Sequence, residues 1–186
     1  MKKLCALALA PLIIVSIAAC SQEPLTAHDL WSEVRESSAM EVEPARSLDD
    51  LVDESTLIVR ARIDRITSGP DLVLAPEGEE VRLPSLIFHL DVVETQAGTA
   101  PTTLKVHIQD YGEELRPTDM PPQDEYVWFL KPSGIEDFYM TSKFAGVIGE
   151  LDGEITTVSD SSDGVVENNW DALDDVEADI AAISSE

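Results

Sequence analysis

From Leu57 onward apolar and charged side chains take turns: Leu57, Val59, Ala61 and Ile63 fall on one side, Arg60, Arg62 and Asp64 on the other. Successive side chains of a strand point to opposite faces, so a period of two marks a half-buried strand over 56–66. The pattern returns between Ser85 and Thr95, where Leu86, Phe88, Leu90 and Val92 share a face. It returns again in Thr102–Gln109, where Leu104, Val106 and Ile108 alternate with Lys105 and His107. Gln96–Pro101 is the turn between these two. Glu125–Lys131 reads as a buried strand, and Asp137–Ser142 and Gly146–Leu151 as shorter ones. Asp152-Gly153 is a tight hairpin signal leading into Glu154–Val158. About seven short strands at this spacing predict an antiparallel sheet closed or partly closed into a small barrel.

Two helices frame it. Ser47 is placed as an N-cap, with Asp49 and Asp50 in the first turn where the helix dipole favours anions; the helix ends near Glu54. Trp170, Leu173, Val176, Ile180 and Ile183 recur at three- to four-residue spacing, with Asn168 or Asn169 as the cap of a C-terminal amphipathic helix. Residues 67–84 form a loop or irregular hairpin and 110–124 a second long loop, both punctuated by Gly and Pro. Residues 21–46 carry Pro24, Pro44 and many acids. Leu25, Leu30, Trp31 and Val34 make a short docking helix there, or the segment is a flexible spacer.

The chain opens Met1-Lys2-Lys3 and continues with an uncharged apolar run from Leu4 to Ala19, broken by Pro11. That run is shorter than the ~20 residues a helix needs to cross a bilayer and suits the apolar part of an export signal. It ends Ile17-Ala18-Ala19-Cys20, then turns abruptly polar at Ser21-Gln22-Glu23-Pro24. This ending resembles the lipobox of bacterial lipoproteins. The resemblance implies that residues 1–19 are a signal peptide and that Cys20 becomes the acylated N-terminus. It also implies an extracytoplasmic domain held on a bacterial membrane by lipid, residues 20–46 being the lipidated N-terminus and tether. Two acyl chains suffice without a membrane-spanning helix, because each buried methylene contributes ~0.8 kcal/mol.

Of the two cysteines, Cys5 would leave with the leader and Cys20 would carry lipid. No disulfide within one copy and no thiolate zinc site is then possible, so the domain must stand on its apolar core. The chain holds 37 acids against 12 Lys and Arg, a net charge of −25. Loss of Lys2 and Lys3 would make it more acidic still. Nucleic-acid binding, which needs cations on phosphates, is excluded on this ground, and so is adhesion to anionic lipid by charge alone.

The order of elements also resembles small exported bacterial domains with a netrin/tissue-inhibitor-like fold, an OB-type barrel. The motifs are the strand Thr56–Ile63, the turn Val93-Glu94-Thr95-Gln96-Ala97-Gly98, the strand Glu125-Tyr126-Val127-Trp128-Phe129-Leu130, and Gly146 followed by the Asp-Gly hairpin. The resemblance covers 47–158 and implies an OB-like barrel with a short helix before the first strand; with the acidic loop and C-terminal helix read in 159–186, the expectation is a mainly β domain. It implies an outer face able to take a peptide or glycan. Metalloprotease inhibition is not carried over, because it needs a free N-terminal Cys and disulfides.

Chemistry-bearing residues are few. His28, His89 and His107 form no metal-binding motif, although His89 and His107 sit on neighbouring strands and could meet near a carboxylate. Tyr126, Trp128 and Leu130 share one face of their strand, either as core or, with Trp128 exposed, as a stacking platform. The acidic loop Asp160-Ser161-Ser162-Asp163-Gly164 fails the EF-hand template. No G-x-S-x-G or S-x-x-K nucleophile motif is present, and no cofactor is implied. The expectation is a membrane-anchored, non-enzymatic binding module for an envelope protein or glycan, with Tyr126, Trp128, His89 and His107 as the candidate ligand face. The alternatives are a hydrolase or metal-dependent enzyme built on His89 and His107, or a weak divalent-cation binder.

Overall fold

The computed structural model describes residues 24–37, 45, 47–74, 81–101, 103–109, 115–117, 119–141, 146–158 and 170–185. The expected leader 1–19, Cys20, the loop Asp160–Gly164 and the cap candidates Asn168 and Asn169 lie outside the described residues.

Alternation becomes strand wherever it was strongest. β1 (Leu57–Ser68), β4 (Ser85–Ala97), β5 (Thr103–Gln109), β6 (Glu125–Pro132) and β7 (Tyr139–Thr141) run round a closed circuit, β1-β4-β5-β7-β6, with β6 pairing back onto β1. Counting only these five in chain order, the circuit is 1-2-3-5-4-1, a Greek-key path of the OB type. All its pairings are antiparallel except the single Val106–Tyr139 contact of β5 with β7. β8 (Val147–Leu151) adds to β6, and β9 (Glu154–Thr157) adds to β8. The irregular segment after β1 contains a short hairpin, β2 (Leu72–Leu74) with β3 (Val81–Leu83). The protein is thus mainly β, with an OB-like barrel and helices before its first strand and at its C-terminal end.

β1 bends round the barrel because its register against β4 slips at Ile58/Val59, Arg60/Ala61 and Ile63/Arg65. Each bulge adds a residue to one strand and sharpens the local twist. The last one shifts the inward series by a residue, so Ile63 is followed inside by Ile66. Gly98 closes the β4 end of this corner at φ +82, where a Cβ would stand 2.5 Å from the Thr56 carbonyl oxygen. Asp152 and Gly153 both take positive φ, 54 and 88, as the tight hairpin between β8 and β9 requires.

Two apolar clusters lie on opposite sides of β6. Tyr126, Trp128 and Leu130 point into the barrel with Val59, Phe88, Leu90 and Val106. Val127 and Phe129 point out, against Ile58 and Ile148. α2 (Leu48–Glu54) and α3 (Leu173–Ile183) cover that outer patch with Leu48, Leu51, Val176 and Ile180. β6 therefore has no polar face, which is why its sequence is an unbroken apolar run.

α1 (Ala27–Ser37) is the docking helix of the two readings of residues 21–46. Its Leu30 and Trp31 are fully buried, and Val34 nearly so, in the barrel cluster. The Trp31 ring lies 5.3 Å from Tyr126, 5.8 Å from Trp128 and 6.5 Å from Phe88. The contacts with Phe88 and Tyr126 are edge-to-face, a packing that adds ~0.5–1.5 kcal/mol per pair beyond burial.

The caps divide. Ser47 caps α2 as its sequence predicts, its hydroxyl accepting from Asp50 N–H at 3.2 Å. α3 starts at Leu173, after Ala172, so neither Asn168 nor Asn169 is its cap residue. Instead the Asp175 carboxylate reaches back to the N–H groups of Asp171 and Ala172, both at 3.0 Å, the reciprocal half of a capping box.

Candidate functional site

The four residues expected on the ligand face separate into two pairs. Tyr126 and Trp128 are fully buried inside the barrel. Trp128 donates its indole N–H to the Ala61 carbonyl at 3.3 Å. The stacking platform required an exposed Trp128, so it is not formed, and both rings are core. Burial pushes the Tyr126 phenol up to about 12.

His89 and His107 lie on the outer face of β4 and β5. The ladder sets Arg65, His89 and Lys105 in one row across β1, β4 and β5, and Thr67, Ile87 and His107 in the next. The two imidazoles are thus diagonal neighbours on one face, a relation that separates side chains by ~7–8 Å, and each has its own partners. His89 Nδ1 lies 3.2 Å from Arg65 Nη2, and Nε2 lies 2.9 Å from Thr67 Oγ1. A guanidinium can only donate. Nδ1 therefore accepts, and Nε2 carries the proton and donates to Thr67. Burial, and then the charges of Arg65 and Lys105, hold the His89 pKa below its usual value, against a weaker pull from Asp64. Burial also lowers His107, while the Pro70 carbonyl favours its protonated form. With both nitrogens of His89 engaged, a metal would have to displace a hydrogen bond. Among the described residues no group of three or more His, Cys, Asp or Glu side chains is placed to hold one.

The same face runs into a cleft of about 660 Å³ at one end of the barrel. Pro101, Thr103 and Lys105 form one wall, and the β6–β7 connection from Pro132 to Tyr139 forms the other. The Lys105 ammonium sits 5.4 Å from the Phe138 ring centre, within cation–π range. The His107 ring centre lies 6.3 Å from that ring, tilted by 56°. Ile135 stands 40% exposed at the rim, beside Glu136 and Asp137. Asp137 holds φ 66, a left-handed conformation that Asp tolerates better than most residues. The cleft therefore combines apolar walls, one ammonium and two rim carboxylates, the mix of a shallow site for an amphipathic ligand. In OB-type barrels the face of the second and third strands, with the loop joining the fourth and fifth, is where ligands sit. β4, β5 and Pro132–Tyr139 hold those positions here.

Sequence reasoning named the histidines and missed Lys105, Phe138 and Ile135. One signal was present: in the β4–β5 hairpin Lys105 falls opposite His89. Nothing local announces Phe138, which reaches the cleft only because β7 lies parallel beside β5.

A second polar cluster lies away from the cleft. Arg60 bonds Glu125 at 2.6 Å and Asp174 at 2.8 Å, with Glu177 at 3.5 Å, and Arg62 also bonds Glu125. Burial alone would raise Glu125, but the two guanidiniums hold it below the usual carboxylate range. Burial raises Glu177 despite Arg60. This cluster clasps α3 to β1 and β6.

No protein-family model, no curated protein and no solved structure matches the chain.

Proposed function

We propose that this chain is a lipoprotein of a bacterial envelope: its leader 1–19 is removed, Cys20 is acylated, and the barrel works outside the cytoplasm as a non-enzymatic binding module for an envelope protein or glycan. The observation that carries the anchor is the ordered sequence of Lys2-Lys3, the apolar run and Ile17-Ala18-Ala19-Cys20. Among the described residues no helix is long and apolar enough to cross a membrane. The binding role is supported by the cleft between Lys105 and the Pro132–Tyr139 connection. A netrin/tissue-inhibitor-like relationship is part of the proposal. The closed circuit of five strands, with helices packed on it from both sides in sequence, supports it.

Expression in a bacterium fed labelled palmitate tests the anchor. The parent protein takes up label and sediments with membranes, whereas Cys20→Ser does neither; unchanged retention of Cys20→Ser overturns the reading. A photo-crosslinker at Ile135 tests the module. It captures a discrete envelope component that Lys105→Glu no longer captures. Capture indifferent to Lys105→Glu removes the cleft from the proposal.

A further inference from the structure

On the premise that Cys20 carries the lipid, we infer that the barrel lies against its membrane in one orientation: the end bearing Leu25, Met120 and the β8–β9 turn faces the bilayer, and the Lys105–Phe138 cleft faces away from it. The argument rests on how little chain separates the anchor from the fold. Leu25 N–H donates to the Met120 carbonyl at 2.8 Å, and Leu25 packs against the barrel cluster. From Cys20 to Leu25 a fully extended chain reaches at most about 18 Å. That falls short of the roughly 20 Å between the two ends of the barrel, so the lipid cannot reach the end opposite Leu25.

The register identifies which end this is. β6 starts at Glu125, paired with Arg62, and climbs to Leu130, paired with Leu57. The β8–β9 turn lies beyond the Glu125 end, since Gly149 pairs with Tyr126 and the chain continues to Asp152. His28, the second residue of α1, lies 3.3 Å from Asp152. Met120, Leu25, His28 and Asp152 therefore share the lower end. Pro132 and the cleft crown the upper end, where β4 turns into β5. The length of β6 at ~3.3 Å per residue, tilted as barrel strands are, separates the two ends by roughly 20 Å.

The occupant of the lower face is the surface of the anchoring bilayer. Met120 is 47% exposed there, an apolar side chain suited to the headgroup boundary. The segments at this end carry Asp29, Asp119, Asp124 and Asp152 along with His28 and Arg116. Anionic lipid repels such a face over ~10 Å at ordinary ionic strength. The short tether, not charge attraction, holds it down, so contact stops at the headgroups.

The mature chain has no cysteine except the acylated one, so single probes can be placed cleanly. Lipidated full-length protein bearing bimane on Met120→Cys, Gln123→Cys or Ile135→Cys is reconstituted into phosphatidylethanolamine/phosphatidylglycerol vesicles with nitroxide-headgroup lipid. With the ends roughly 20 Å apart, quenching at 120 and 123 exceeds that at 135 at least about twofold. A Gly/Ser insert of about 20 residues between Glu23 and Pro24, a coil of roughly 25 Å, removes the difference. Equal quenching at both ends of a palmitate-labelled, vesicle-bound protein overturns the orientation and leaves the anchor standing. Protein that takes up no palmitate and floats free of vesicles overturns the premise itself.

Discussion

At the scale of single residues, the interior is where substitutions cost most. Trp31 is fully buried among three aromatic rings, so Trp31→Ala lowers stability by about 3–5 kcal/mol, read as a fall in the denaturant midpoint. Tyr126 behaves oppositely to its size. Its hydroxyl and Trp31 Nε1 interact with each other, but neither reaches a well-formed hydrogen bond among the described residues, and a buried unpaired polar atom costs about 1–3 kcal/mol. Tyr126→Phe keeps the ring and removes the orphan, so its melting temperature equals or exceeds the parent's; a drop assigns the hydroxyl a partner. The histidines set a pH dependence. Both folded pKa values are lowered, so the unfolded chain binds more protons around pH 6.5 and below. Their contribution is fully present above pH 6.5 and is lost as pH falls through that value toward the folded pKa. Protonated His89 also meets the Arg65 guanidinium as two donors with nothing to accept. His89→Gln flattens the fall in stability between pH 7 and pH 5.5 relative to the parent, measured by chemical unfolding at each pH.

At the scale of elements, α3 hangs on one cation. Arg60 is 24% exposed and Glu125 18%, between the buried and surface limits for ion pairs. Arg60→Ala therefore costs about 1–3 kcal/mol, and it leaves Glu177 on α3 without its cation while Glu125 keeps Arg62. The expected signature is local: Trp170, buried beside α3, shifts its emission to the red before the barrel unfolds. How far the elements were readable follows the range of the forces that make them. β1, β4 and β5 carried their burial in a period of two, so each inward residue was visible in isolation. The two-sided burial of β6 was visible too, as an apolar run with turn residues at both ends. The Leu30-Trp31-Val34 stripe of α1 showed a helix but not what covers it, because the covering aromatics come from β4 and β6. Phe138 was invisible as a site residue for the same reason. Its place depends on a single parallel contact, Val106 with Tyr139, that no local pattern encodes. The cap of α3 was misread because Asn is a strong cap by propensity, whereas here a downstream Asp175 does the work from inside the helix.

At the scale of the whole molecule, charge dominates. A net charge of −25 makes the compact state repel itself, and added salt screens that repulsion with a Debye length falling from ~10 Å at 0.1 M to ~3 Å at 1 M. The melting temperature therefore rises with sodium chloride over this range, although the Arg60 clasp weakens; a fall would mean that the few ion pairs outweigh the general repulsion. The helix that fills the barrel bears on the proposed export. In a chain threaded from its N-terminus, Trp31 emerges early, yet its packing partners Phe88, Tyr126 and Trp128 follow much later. A fragment ending at Pro122 keeps only Trp31 of the three tryptophans and lacks β6, so its indole emits as a solvated one. No stable nucleus can close round the first helix while the rest is still in transit. On the proposed export the polypeptide thus stays threadable until nearly all of it has crossed, and the step that completes the interior also draws the globule up to the proposed anchor.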